Sequence, residues 1–439
     1  MIPTRSAALA AALLAAAPLA AAEPDPPYEV WVIDQSSAAG RLYVYDGLAV
    51  TDDPSGAVPE VVDLDVVVAP YCLTRTGTSP VRAHMLAFNS GESHAILSYV
   101  ASGHVVFFDA SSRQPVGCID VGLQAHAAFA SPDGAWVAVA NQNGKLLQRI
   151  RTDYAAGVFT LDNAATLDLA TCTTPSGAPC QDAVLRPDNA PICPVIESAS
   201  RLVFATLRGG GLLVVDATAS PMRIVAEYDR ATVRGNGCGG VEQAGRMYLN
   251  AGGGTGANPT ENDLYSFEIA AYPASGAAPP NTPAPTTIYI FDEAGRDGHG
   301  MMVNHAARGR YLWVGDRFAN EVLVVDTRTD QLVNRFPLAG AASADPAPDL
   351  MDRAPGGGWA FAALRGPCPL TANVASVNNA VGATPGLGVI KVRAAGFRGE
   401  LVGVAPITAP SAPFTCATVG GSPTLTERAD PHAVAVRLK

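Results

Sequence analysis

The strongest constraint on the fold is an internal repeat. "HMLAFNSGESHAILSYVASGHVVFFDASSRQPVGCIDVG" from His84, "HAAFASPDGAWVAVANQNGKLLQRI" from His126 and "HGMMVNHAARGRYLWVGDRFANEVLVVDTRTDQLVNRFPL" from His299 share one frame. Each runs as a short strand, a polar turn, an apolar strand, a Gly- or Asn-centred turn and a third strand. The copies from His84 and His299 add a fourth strand. "CPVIESASRLVFATLRGGGLLVVDATASPMRIVAEYD" from Cys193 fits the same frame, and "CGGVEQAGRMYLNAGGG" from Cys238 fits it loosely. A sixth copy starts near Asp349, with "PDLMDRAPGGGWAFAALRG" and later "GLGVIKVRAAGFRGELVGVA". Period-two strands, four to a unit of roughly 40–65 residues, predict an all-β fold, the β-propeller.

The ends of the chain complete the count. "YEVWVIDQ", "GRLYVYDG" and "PEVVDLDVVV" match second, third and fourth strands and lack a first, whereas "HAVAVRLK" from His432 is a first strand alone. Pairing them makes a seventh blade with 3+1 closure and covers strand edges that would otherwise be unpaired. The prediction is one domain over residues 23–439, with blades starting near 84, 126, 193, 238, 299, 349 and 432, the last completed by residues 28–70. A blade within 232–298 must accommodate an insertion. Residues 271–287 and 339–348 read as Pro/Ala/Gly-rich loops. The longer insertion 366–388, which Cys368 is placed to pin, is expected to shape a binding surface.

Composition agrees. With 48% hydrophobic and 16% charged residues, 43 Gly and 35 Pro, the chain suits short buried strands and tight turns, and excludes a helical bundle or a disordered polymer. Residues 1–22 read as a cleaved signal peptide, with Arg5, an Ala/Leu run and a small-residue site before Glu23. No later stretch is apolar enough to span a bilayer, so a soluble, monomeric protein of the periplasm or the exterior is expected. A net charge of −11 without a basic cluster disfavours nucleic acid as a partner.

The eight Cys of such a protein suit disulfides. Cys172 with Cys180 could close a small ring, and Cys193 with Cys238 could bridge adjacent blades. Cys72 with Cys118 and Cys368 with Cys416 are the natural remaining pairs, with connectivity open. Absence of C-x-x-C-H excludes c-type haem. Absence of C-x-x-C removes thioredoxin-like chemistry and zinc ribbons. No nucleotide fingerprint, G-x-S-x-G or H-E-x-x-H occurs, so no catalytic residue is assigned.

The phrases "SPDGAWVAVAN", "RYLWVGDRFANEVLVVDTRT" and "PHAVAV" resemble the YVTN-repeat propellers, a group close to the lactonase-like and NHL propellers. The resemblance covers most of residues 28–439 and implies an architecture. Such propellers include periplasmic binding proteins, sugar-lactone hydrolases and surface proteins.

Aligned first strands open with His84, His126, Cys193, Cys238, His299, Asp349 and His432. A stricter frame would put Met301 and Leu350 in place of His299 and Asp349. First strands line the channel of a propeller, so these side chains should converge at one mouth. Imidazole and thiolate are preferred ligands of copper and zinc. The expectation is therefore a ligand site at the axial mouth, with a transition metal, copper favoured, held by a His/Cys ring for metal handling or redox chemistry. The alternatives are a lactonase-like hydrolase at the same mouth, a non-catalytic scaffold for a protein partner, and imidazoles that only hydrogen-bond backbone around the channel. His94, His104 and His305 are expected at edges or on the surface.

Overall fold

Each blade forms because its strands alternate apolar residues that two neighbouring blades can bury. Third strands such as His104–Asp109, Leu212–Asp216 and Glu321–Asp326 are buried almost throughout, as continuous β-branched and aromatic runs between two layers should be. The outer strand Gln331–Pro337 instead alternates exposed residues with partly buried ones and the buried Phe336. Asp109, Asp216 and Asp326 end their strands and accept the N–H groups of Ser111, Thr218 and Arg328, which fixes the following turn.

The computed structural model describes residues 25–439 except 236, 256–258, 274–277, 279, 280 and 292. The leader predicted over residues 1–22 lies outside them. Seven antiparallel sheets form the ring, each with the four-strand order of a propeller blade, and one carries an additional short strand. By their first strands the blades are 1, Ala83–Phe88; 2, Ala125–Ala130; 3, Pro191–Ile196; 4, Gly240–Gln243; 5, Gly298–Asn304; 6, Pro348–Arg353; and 7, Pro431–Leu438. Blade 4 takes its insertion between Asn262–Glu268 and Thr286–Phe291.

Closure follows the predicted 3+1 scheme. Pro431–Leu438 pairs with Tyr28–Asp34, Trp31 lying opposite Ala435, and the sheet continues through Arg41–Asp46 to Glu60–Asp63. Tyr28–Asp34 buries both faces: Tyr28, Val30 and Val32 pack with Phe361 and Leu387 of blade 6, while Trp31 and Ile33 pack with Ala95, Tyr99 and Phe108 of blade 1. Its outer strand is shorter than "PEVVDLDVVV" suggests. Asp63 accepts the N–H of Asp65 at 3.0 Å and starts the helix Leu64–Val67, a capping role that competes with strand continuation.

All eight Cys are paired, as Cys72–Cys118, Cys172–Cys180, Cys193–Cys238 and Cys368–Cys416. No helix of the described residues is long and apolar enough to cross a membrane.

Candidate functional site at the axial mouth

A single device aims the ring residues. In six inner strands the ladder slips by one residue where the ring residue stands: between Ala83 and Met85, Ala125 and Ala127, Pro191 and Pro194, Gly298 and Met301, Pro348 and Met351, and Pro431 and Ala433. Such a bulge takes its extra residue out of the alternation and re-aims the side chain. His84, His126, Cys193, His299, Asp349 and His432 are these residues, and Cys238 directly precedes the shorter strand of blade 4. Met301 takes a ladder position opposite Val314, so the bulged frame, not the strict one, describes blade 5. Gly300 permits the approach there, since a Cβ on it would lie 2.2 Å from the Asp349 carbonyl oxygen.

The four imidazoles line one axial cavity of about 270 Å³, together with Gln124, Gln142, Arg208, Thr371 and Ala372. His84 Nε2 lies 3.3 Å from His126 Nε2. The His84 ring stacks on His432 at 3.8 Å, and His299 meets His432 edge-on at 5.8 Å. His299 Nε2 is 2.9 Å from Asp349 Oδ1 and His432 Nε2 is 3.9 Å from it. Neither Nε2 makes an aligned hydrogen bond. The ligand atoms of His299, Asp349 and His432 lie within 4.8 Å of one another.

Cys193 and Cys238 also approach His126, but they are bonded to each other. A disulfide offers no thiolate, so both leave the expected ligand set, and with them goes the soft donor that favoured copper.

Burial, with the neighbouring imidazoles of His432 and His126, depresses the basicity of His84 strongly. Burial and then His299 lower His126 to about 4. Burial also lowers His432, with Arg365 adding to the effect and Asp349 opposing it. These three rings are therefore neutral at pH 7.

Behind the imidazoles lies a buried charge network. Asp349 accepts from Arg365 Nη1 at 2.5 Å and from Arg317 Nη1 at 3.3 Å. Arg365 also makes a two-pronged pair with Asp430 at 2.7 and 3.0 Å, and Arg317 reaches Asp297. Burial works against ionisation of Asp349, but His299, His432 and the two guanidiniums hold its carboxyl well below the usual carboxylate range. For Asp430 and Asp297 burial prevails and raises the carboxyl.

These arginines form a second tier that reading the first strands alone misses. The residue following the second strand of each blade is Val100, Gln142, Arg208, Gly253, Arg317, Arg365 and, in blade 7, Gln35. The same repeat alignment, read one strand further, contains them. The insertion 366–388 sits on this tier: Arg365 and Arg317 donate to the carbonyls of Thr371 and Ala372, Leu370 N–H donates to Asp430, and Cys368–Cys416 ties the insertion to the hairpin Pro410–Thr415/Thr424–Glu427.

His94 and His104 lie outside the cavity but are buried, at 8% and 1% exposure. The helix Ala69–Thr76 and the turn after it cover His104 and bring Thr76 Oγ1 to 3.0 Å from its Nε2. His305 is exposed, as expected.

No protein-family model matches the chain, and no curated protein matches it in sequence. Solved structures do. The periplasmic gluconolactonase of Pseudomonas aeruginosa is similar at 14% identity, over 94% of this chain and 100% of that chain, with a TM-score of 0.56. A candidate 6-phosphogluconolactonase from Bacteroides fragilis is similar at 11% identity, over 94% and 98%, with a TM-score of 0.59. A protein from Lactobacillus plantarum is similar at 11% identity, over 94% and 99%, with a TM-score of 0.57. At such identities the shared property is the fold: the chain is a seven-bladed β-propeller of the architecture that lactonase-type propellers use.

Proposed function

We propose that this protein is an exported hydrolase that opens a small polar ester of the sugar-lactone class at the axial mouth. The observation that carries the proposal is the content of one cavity. Opening a lactone needs a base for the attacking water and a cationic or donor group for the carbonyl oxygen as it gains charge. His299 serves as the base, because Asp349, 2.9 Å from its Nε2, stabilises the imidazolium that forms. Arg208, held by Asp188 at 2.6 Å, is the cation that lines the same cavity. A volume of about 270 Å³ suits a ligand of monosaccharide size, below the ~300–1,000 Å³ of drug-sized sites. The lactonases among the structural neighbours support a lactone over other esters. The four disulfides support export, since a reducing cytosol would not maintain them.

The test is acid release from glucono- and galactono-lactones and their 6-phosphates. Turnover above the spontaneous rate, lost in His299→Gln with folding intact, is expected. A flat result across the panel removes the hydrolase reading. Full activity in His299→Gln removes its base.

A further inference from the structure

Beside the axial cavity lies a second one of about 270 Å³, lined by Arg208, Arg230, Arg234, Thr255 and Glu261. Arg208 and Thr255 also line the axial cavity, so the two adjoin at these residues. Two turns build the second cavity. The stretch "RGGG" at 208–211 follows the second strand of blade 3, and residues 229–235 lead from that blade's fourth strand toward blade 4. Asp229 accepts the N–H groups of Ala231 and Thr232 at 3.2 and 2.8 Å, which fixes the second turn. Gly211 N–H donates to the Val233 carbonyl at 2.8 Å and joins it to the first. Glycine is required where the turns touch: Gly210 has a φ of +90°, and a Cβ on it would lie 2.6 Å from Arg230 Cβ.

These turns bring three guanidiniums to one pocket, and two of them are balanced. Arg208 donates to Asp188 at 2.6 Å, a carboxylate that Lys145 also approaches at 3.4 Å. Arg234 makes a two-pronged pair with Asp263 at 2.5 Å and lies 3.1 Å from Glu261. Arg230 is exposed and has neither an ion pair nor a side-chain hydrogen bond among the described residues. Its charge and its five N–H donors face no protein acceptor.

We propose that this pocket is a carboxylate subsite, and that the substrate opened at the axial mouth is the lactone of a sugar diacid whose free carboxylate Arg230 holds. A guanidinium pairs two-pronged with a planar carboxylate. One negative charge matches the one cation that lacks a counter-ion, whereas a phosphate dianion would add a second beside Glu261, which is 3% exposed and lines the same pocket. A lactone ring against Arg208 in the axial cavity places its substituent in the adjoining pocket. The substrate class rests on the hydrolase reading above; the carboxylate subsite stands without it.

The first measurement needs no turnover. Calorimetry compares glucuronate, glucose 6-phosphate and glucose, which share one sugar ring and differ at carbon 6. Glucuronate should bind roughly 10–100-fold more tightly than glucose, the range of a hydrogen-bonded charge pair, and less tightly at high salt. Arg230→Gln should lower that preference and Arg230→Glu should remove it. Arg398→Gln, which removes an exposed charge from the outer strand of blade 6, should leave it intact. Equal binding of glucuronate and glucose, or a preference that survives Arg230→Glu, overturns the subsite. Tighter binding of glucose 6-phosphate than of glucuronate overturns the choice of a carboxylate. The second measurement compares kcat/KM for glucaro- and glucono-lactone. The carboxylate-bearing lactone should be favoured by a similar factor, carried by KM because the contact is remote from the reacting carbonyl, and Arg230→Glu should erase the difference. Binding of glucuronate without turnover of any lactone removes the hydrolase reading and the diacid-lactone substrate with it, and leaves the subsite standing. Equal turnover of both lactones removes the diacid substrate and leaves the hydrolase.

Discussion

Replacing Arg365 by Met tests whether the buried charge network supports the site. Arg365 is fully buried and pairs with both Asp349 and Asp430. The methionine roughly fills the volume, so the dominant loss is electrostatic: two buried carboxylates lose their common cation. Breaking a buried pair in this way costs about 3–5 kcal/mol, mostly because the partner charge is stranded. With an unfolding entropy of about 2.1 cal/mol/K per residue, a domain spanning residues 25–439 should lose about 3–6 °C in Tm at pH 7. The loss has a sign in pH. Burial already raises Asp430 in the folded protein, and removal of Arg365 raises it further. A carboxyl whose folded pKa lies above its unfolded value destabilises increasingly as pH rises past the unfolded value, about 3.9. The Tm gap between variant and wild type should therefore be small near pH 4 and widen toward pH 7. Scanning calorimetry across that range is the assay, with Arg365→Met/Asp430→Asn expected to recover part of the loss. A gap below about 1 °C at pH 7, or one independent of pH, would refute the reasoning.

Deleting residues 431–438 should abolish the folded state, because it exposes both the ladder edge of Tyr28–Asp34 and the apolar faces it shares with blades 1 and 6; near-UV circular dichroism retained by the truncated chain would contradict this. Asp109 is lowered to about 2 by the Ser111 and Ser112 hydrogen bonds, so Asp109→Asn should cost about 1–2 kcal/mol at neutral pH, a difference that shrinks as pH falls from the unfolded value toward 2. Urea midpoints at pH 7 and pH 2.5 measure it, and equal differences at both would rule out the capping account.

The sequence made the ring legible because each inner strand opens a repeat, and repeats can be aligned. It concealed three things of a different kind. The bulges are properties of register, and register depends on the partner strand; hence the ambiguity between His299 and Met301. The arginine tier depends on which turn faces the axis, and Arg208, Arg317 and Arg365 resemble any arginine in a turn. The burial of His104 depends on a helix, Ala69–Thr76, packed over its blade from distant sequence. Cys193 and Cys238 show the opposite limit: their position was readable, but whether they were ligands or a disulfide was a matter of distance alone.

The extra residue in six of the seven inner strands separates framework from chemistry. A side chain outside the ladder alternation need neither favour extended backbone nor fit an interblade core, so its identity can change without disturbing the pairing on either side. His84, His126, His299, Asp349 and His432 stand at five such exempt positions. The propeller thus acts as a dial whose settings are independent of the strand pairing. Exchanging one imidazole for a carboxylate, an amide or an alkyl group there should alter what the mouth accepts far more than whether the ring closes.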